Sequence, residues 1–115
     1  MLASDCVFCD IIVGSAPATV LWHSDSAMVI VPLNPVTEGH VIALPTRHVE
    51  DFSESIVASQ ATMIAVWEHV TALRIPSYNI ITSRGHAASQ TIRHLHVHVV
   101  PRREGDGLKL PWTQP

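Results

Sequence analysis

Charge is scarce in this chain. Asp, Glu, Lys and Arg make up 15% of it, against about 25% in an ordinary soluble domain. The formal net charge of −3 excludes a broad electrostatic surface for nucleic acid, which requires a basic excess. Long apolar runs are missing too, and nothing approaches the roughly 18 uninterrupted apolar residues of a membrane span. Residues 1–15 carry neither the basic start nor the apolar run of a signal peptide, so the expected compartment is the cytoplasm. Cysteine is nearly absent: Cys6 and Cys9 are the only two. Thiols so close together, without a signal peptide, suggest a reducing compartment and availability for metal or redox chemistry. There is no internal repeat and no low-complexity segment.

What is present is apolar. Hydrophobic residues form 47% of the 115, enough for one core and one globular domain spanning residues 1–115. Such a composition with so little charge has two readings: a surface partly covered by a second subunit, or an unusually aliphatic monomer.

Along the chain, residues 7–14 read as a short helix stopped by Gly14. Ala18–His23 and Ala27–Val31 read as a hairpin around Ser24-Asp25-Ser26, without a strong Asn-Gly or Asp-Gly turn. Pro32-Leu33-Asn34-Pro35 makes a loop, and Gly39–Leu44 is strand-like. Asp51 and Glu54 have capping-box spacing ahead of the longest helical candidate, Ser53 to about Leu73. Ile56, Val57, Ala61, Ile64 and Trp67 fall on one broad side of it, with Ser55, Ser59, Thr62 and His69 opposite. Pro76 prevents its continuation. Ser77–Thr82 is a further strand, on which Tyr78 is expected in the sheet core. Arg93–Val100 is the last strand, and the tail from about 104 is irregular. Strands, one long helix, then strands again predict an α+β fold with an antiparallel sheet and a helix on one face.

The most informative segment is His94-Leu95-His96-Val97-His98-Val99-Val100. Strand side chains alternate between faces, so the three histidines share one face about 6 to 7 Å apart, with Leu95, Val97 and Val99 turned to a core. Buried and unpaired, such a row is destabilising; it suits a working surface. It suits a three-histidine metal centre, or a neutral imidazole that attacks phosphorus while its neighbour hydrogen-bonds the phosphate or leaving group.

Cys6-Val7-Phe8-Cys9 supplies two thiolates to a tetrahedral metal such as zinc. No second C-x-x-C exists, so further ligands would be distant histidines, with His48 and His94 as candidates. A redox pair and inert thiols remain the competing readings. The loop Ser83-Arg84-Gly85-His86-Ala87-Ala88-Ser89-Gln90-Thr91 offers small residues and neutral donors to an anion. Alone it reads as an ordinary polar hairpin loop; beside the histidine row it gains weight as a phosphate cradle.

Taken together, Gln90-Thr91-Ile92-Arg93-His94-Leu95-His96-Val97-His98-Val99-Val100 resembles the signature of the histidine triad (HIT) family. Cys6–Gly14 resembles the zinc-type N-terminus of its Hint-like and bacterial branch, and Pro35–Val49 resembles its central Gly-His, strand, Pro, basic, His segment. The resemblance implies a five-stranded antiparallel sheet with one long helix and a short N-terminal helix. It implies homodimerisation into a ten-stranded sheet. It also implies a hydrolase or transferase acting at the α-phosphate of a nucleotide, with a purine nucleoside monophosphate derivative as the expected partner. His96 would be the nucleophile, forming a covalent nucleotidyl-histidine, and His98 would hydrogen-bond the phosphate or departing group. Gln90 and Thr91 match the phosphate-contacting pair. Cys6, Cys9, His48 and His94 match a structural zinc site, with no catalytic metal.

This chain also departs from the family pattern. Pro32 stands where many members carry an Asp or Asn for the ribose hydroxyls, which leaves Asn34 as the substitute. Ser83 stands at a nucleotide-contacting Asn, and Ser89 where a Gly precedes the Gln. These changes motivate a competing reading, a non-catalytic module that holds nucleotides or a protein partner. His40 falls in the Gly-His pair without an assigned chemical role. His23, His69 and His86 are expected at the surface, and Trp112 either packs or reaches a site.

Overall fold

In a computed structural model describing residues 5–113, the elements follow the order α1 (Val7–Ile12), β1 (Thr19–His23), β2 (Ala27–Val31), β3 (Val41–Pro45), α2 (Ile56–Ala72), β4 (Tyr78–Ile81) and β5 (Val97–Pro101). Short 3₁₀ turns lie at His86–Ala88 and Pro111–Thr113. The five strands form one sheet in the order β1-β2-β3-β5-β4, every neighbouring pair antiparallel. None of the described helices is long and apolar enough to cross a membrane.

Local chemistry explains the boundaries. Cys6 caps α1 by accepting the Cys9 N–H at 3.4 Å, and Gly14 leaves the helix at φ +83. The β1–β2 turn lacks glycine but is closed by Ser24, whose Oγ accepts from the N–H groups of Ser26 and Ala27. Such a serine turn replaces the missing Asn-Gly.

The start of α2 corrects the sequence reading. Asp51 and Glu54 do not cap the helix. Asp51 accepts from the Ser53 N–H and hydroxyl, and Glu54 accepts from the Glu50 N–H, all within the preceding turn. The cap is Ser55, which accepts the Ala58 N–H at 3.2 Å. Leu73 ends the helix, followed by Arg74 at φ +51.

The sides of α2 are also reversed. Ala58, Ser59, Thr62, Ala65, Val66 and Val70 face the sheet, while Ile56 is 72% and Trp67 65% exposed. Small residues let the helix lie close on the strands. The two hydroxyls are buried at little cost because Ser59 donates to Phe52 O and Thr62 to Ala58 O.

Helices on both faces explain why β2 and β3 are almost wholly buried. Val29, Val41, Ala43, Val97 and Val99 pack with α2. Met28, Ile30, Ile42 and Leu44 pack with Phe8 of α1 on the other face. His98 pairs with Ile42, so the alternation of β5 turns it to the α1 side. The edge strands β1 and β4 are exposed. Tyr78, expected in the core, is 38% exposed on β4.

The last strand is shorter than predicted. It begins at Val97, leaving His94, Leu95 and His96 before the ladder. Beyond its other end, Arg102 bonds Asp106 through two nitrogens and also reaches Asn79 and the Leu108 carbonyl. Arg103 bonds the Thr37 hydroxyl and the Glu38 carbonyl. Trp112 is 78% exposed, so within the protomer its ring does not pack.

Candidate active site and metal centre

One group of four side chains converges where α1, the end of β3 and the approach to β5 meet. One ligand atom from each of Cys6, Cys9, His48 and His94 lies within 4.8 Å of the others. Cys6 Sγ is 3.4 Å and Cys9 Sγ 3.6 Å from His94 Nδ1. His48 Nδ1 is 3.2 Å from both Cys9 Sγ and His94 Nδ1. Zinc bonds of about 2.0 to 2.3 Å give a tetrahedron with edges of about 3.3 to 3.8 Å, close to the spacing found. The set can therefore hold a metal ion.

The protonation pattern agrees. His94 is fully buried and its Nε2–H donates to Pro45 O at 2.9 Å, which leaves the Nδ1 lone pair toward the thiols. A metal-binding imidazole is commonly oriented this way, by a carbonyl on its other nitrogen. Burial is the main reason the His94 ring resists protonation. Burial, together with the adjacent Cys6, pushes the Cys9 thiol up to about 11. Two crowded thiols resist joint ionisation, and a divalent cation removes that resistance.

The second constellation lies alongside. The Phe8 ring sits edge-on to His94 at 5.8 Å and to His96 at 5.0 Å. His96 Nδ1–H donates to His94 O at 2.8 Å. Its Nε2 therefore keeps the lone pair, and the ring is half-buried, not sealed. His98 follows, its ring centre 5.2 Å from that of His96.

A residue without an assigned role on sequence completes the row. His40 Nδ1 accepts the backbone N–H of Val36 at 3.0 Å. A backbone amide can only donate, so the neutral His40 proton lies on Nε2. That proton points at His98 Nδ1, 2.9 Å away. His98 must then carry its own proton on Nε2, the nitrogen turned away from His40. Burial is the main cause that lowers the His98 pKa to about 4, with His96 and His40 adding to it. Burial lowers His40 in the same direction. The row thus offers a bare nitrogen on His96 and an N–H donor on His98.

These assignments dispose of a metal shared by all three triad histidines. Both His94 nitrogens face other partners, and the Nδ1 atoms of His96 and His98 are engaged. Gly39 sets His40 in place. It adopts φ +86, which strains any side-chain-bearing residue, and a Cβ there would crowd the Pro101 ring at 3.1 Å. The Gly-His pair was visible in sequence; its partner emerges only when β3 pairs with β5.

The remaining expected residues are dispersed. Gln90 is buried, and its amide is engaged by the protein: Oε1 accepts from Gly85 N, and Nε2 donates to Glu50 O and Ile92 O. With the Arg84–Asp51 ion pair, it ties the loop before the triad to residues 50–51. Thr91 is exposed and borders a cleft on the metal side with Cys6, Cys9 and His48. Ser83 is half-buried at the end of β4. Asn34 borders a different cleft of about 720 Å³, walled by Phe8, Ile30, Ile42, Pro32 and Leu33.

Comparison with known proteins bears on this geometry. An adenylylsulfatase, HINT3 of Arabidopsis thaliana, is 36% identical over 112 residues, covering 93% of this chain. The match takes in 57% of that protein's length, so this chain spans little more than half of it. The adenosine 5′-monophosphoramidase hnt1 of Schizosaccharomyces pombe is 28% identical, over 93% of this chain and 82% of that one. A zinc-bound histidine triad family protein from Mycobacterium smegmatis superposes with TM-score 0.79 at 36% identity, over 91% of this chain and 80% of the other. The HIT domain model matches residues 13–105, and with these likenesses the chain belongs to the histidine triad family.

Proposed function

We propose that this protein is a nucleotidyl hydrolase or transferase in which His96 attacks the α-phosphorus of a nucleoside phosphoramidate, dinucleoside polyphosphate or related compound. The observation that carries the reading is the tautomer pattern: His94 O holds the His96 proton on Nδ1 and leaves Nε2 as the attacking atom. A bond forms from Nε2 to phosphorus as the bond to the leaving group breaks. Water then cleaves the phosphorus–nitrogen bond, releases the nucleoside monophosphate and restores the imidazole.

His98, neutral with its proton on Nε2, stabilises a phosphate oxygen or the departing atom by a hydrogen bond. Its low pKa, about 4, keeps the ring uncharged at neutral pH. The row therefore adds no fixed positive charge to a phosphate; it supplies a nucleophile and a directed dipole. Thr91 and Ser83 are the neutral donors assigned to the phosphate, and Gln90 fixes the loop that presents them. The purine nucleoside belongs in the cleft bordered by Phe8, Ile42 and Asn34, whose lining side chains carry no charge. Asn34 takes the ribose contact.

Cys6, Cys9, His48 and His94 would hold zinc with all four positions filled by protein. Zinc would supply structural clamping, joining the start of α1 to the segments before α2 and before β5. The protomer is assigned to a homodimer through β4 and the outer side of α2. Exposed Ile56, Ile64 and Trp67, with Tyr78, Ile80 and Ile81 on an unpaired edge, support this.

The deciding experiment uses an activated, radiolabelled adenylate with the wild-type protein and the His96→Ala variant. Label retained on His96 of the wild type, and turnover lost at least about a thousandfold in the variant, are the expected results. Undiminished turnover in His96→Ala overturns the nucleophile. Tight nucleotide binding by the wild type without adduct or turnover would favour the non-catalytic module.

A further inference from the structure

The attacking residue lies outside the sheet that carries its neighbours. The β3–β5 ladder ends at Ala43↔Val97 and the β4–β5 ladder at Ile81↔His98. Neither reaches His96. Something else must fix the direction of its peptide, because a ring hung on a loosely held backbone would sweep its Nε2 through a range of positions. Beside the His94 ring's bond to Pro45 O, three bonds hold this stretch. Leu95 N donates to Val49 O at 2.8 Å, and the His96 ring donates to His94 O at 2.8 Å. The Thr82 hydroxyl donates to His96 O, also at 2.8 Å.

Thr82 is the first residue beyond β4. In an extended backbone its main-chain groups would continue the ladder; here its side chain makes the connection instead. We infer that Thr82 is a positioning residue for His96, its hydroxyl clamping the nucleophile's own carbonyl where the sheet hydrogen bonding stops. This inference rests on the reading of His96 as nucleophile.

The chemistry favours such a clamp. In-line attack tolerates little error, and a displacement of about 1 Å at the reacting atom can lower a rate about a hundredfold. The His96 carbonyl and ring hang on one Cα, so a shift of that Cα, which the bond to the carbonyl restrains, displaces the ring and stretches its bond to His94 O. The clamp also lies on the opposite side of His96 from the bond made by Leu95. The residue is gripped on both flanks, with its ring proton held by a third partner. Thr82 itself is exposed, and an exposed hydroxyl bond adds little to global stability. Its contribution is therefore expected in the position of the ring, not in the melting point.

The test pairs Thr82→Val, which keeps the β-branched shape and removes the donor, with Thr82→Ser, which keeps the donor. Steady-state kinetics on an adenosine phosphoramidate are read beside nitrogen-15 spectra of the imidazole rings. Thr82→Val is expected to lower kcat about tenfold, with KM within about twofold. The His96 ring signals should move from a pure Nδ1–H form toward averaged values. Thr82→Ser should restore both. Wild-type kcat and unmoved His96 signals in folded Thr82→Val overturn the inference. So does a rate loss that follows only a lowered melting temperature, with the ring signals in place. Should His96→Ala itself retain full turnover, the nucleophile reading falls. The ring spectrum of Thr82→Val then decides alone whether Thr82 orients His96.

Discussion

His94 and His98 begin from the same situation and end in opposite roles. Each is drawn from one alternating segment, and burial makes each resist protonation. They differ in which ring nitrogen a neighbour occupies. Pro45 O takes the Nε2–H of His94, leaving Nδ1 as a lone pair beside Cys6 and Cys9. His40 donates to Nδ1 of His98, leaving Nε2–H as a donor. One imidazole turns a lone pair to the thiols, the other keeps an N–H to donate, and His96 between them keeps a lone pair on Nε2, the atom proposed to attack. Identical side chains acquire distinct chemistry because fixed carbonyls and amides choose their tautomers.

Breaking the His94 side should have the largest effect. With the zinc-loaded protein, a strong chelator or Cys9→Ser should lower the melting temperature by about 10 °C or more, followed by calorimetry. Activity per folded molecule should fall far less. If metal removal instead abolishes turnover while the melting temperature stays put, the site is catalytic and the contrast between the two histidines fails.

Breaking the His98 side should leave folding nearly intact and reach the chemistry. His40→Phe removes the donor that sets the His98 tautomer. We expect kcat to fall about a hundredfold, as is reasonable for a ring released into the wrong tautomer, with the melting temperature within a few degrees. Full activity in His40→Phe would detach His40 from the site.

A pH titration sharpens the comparison with a smaller effect. The folded His98 pKa of about 4 lies below the unfolded value of about 6.5, so in this window the unfolded state binds more protons. Its neutral form therefore contributes stability that is fully present above pH 6.5 and is lost as the pH falls toward 4. His40 and His96 face the same ring, and His40 shifts in the same direction. Denaturation at several pH values should show the wild type losing about 2 kcal/mol more than His98→Asn across that window, allowing for partial exposure. Parallel pH curves would refute this.

Much of this was legible in the sequence. The hairpin, the long helix, the C-x-x-C pair and the triad announced themselves through alternation and spacing. The four metal-binding candidates stand together as the family resemblance implied. What stayed hidden depended on pairing between distant segments. His40 acquires meaning only beside His98, 58 positions away. The buried side of α2 is not legible because its bulkiest apolar residues, Ile56, Ile64 and Trp67, are exposed, while the buried side mixes two valines with small residues. Close approach to the sheet selected alanine, serine and threonine, whose hydroxyls bond within the turn and helix. Gln90 matches a phosphate-contacting position, yet its amide is taken by three backbone groups, one of them 40 positions away. No local pattern encodes any of these.

The two arginines after β5 carry a consequence for handling the molecule. Arg103 grips Thr37 and Glu38, the residues that lead into Gly39 and His40, while Arg102 moors the segment after β5 to Asn79 and Asp106. The segment after β5 is thereby geared to the amide-to-imidazole wiring of His40 and His98. A fusion partner or immobilisation handle attached just past this knot would pull on the wiring.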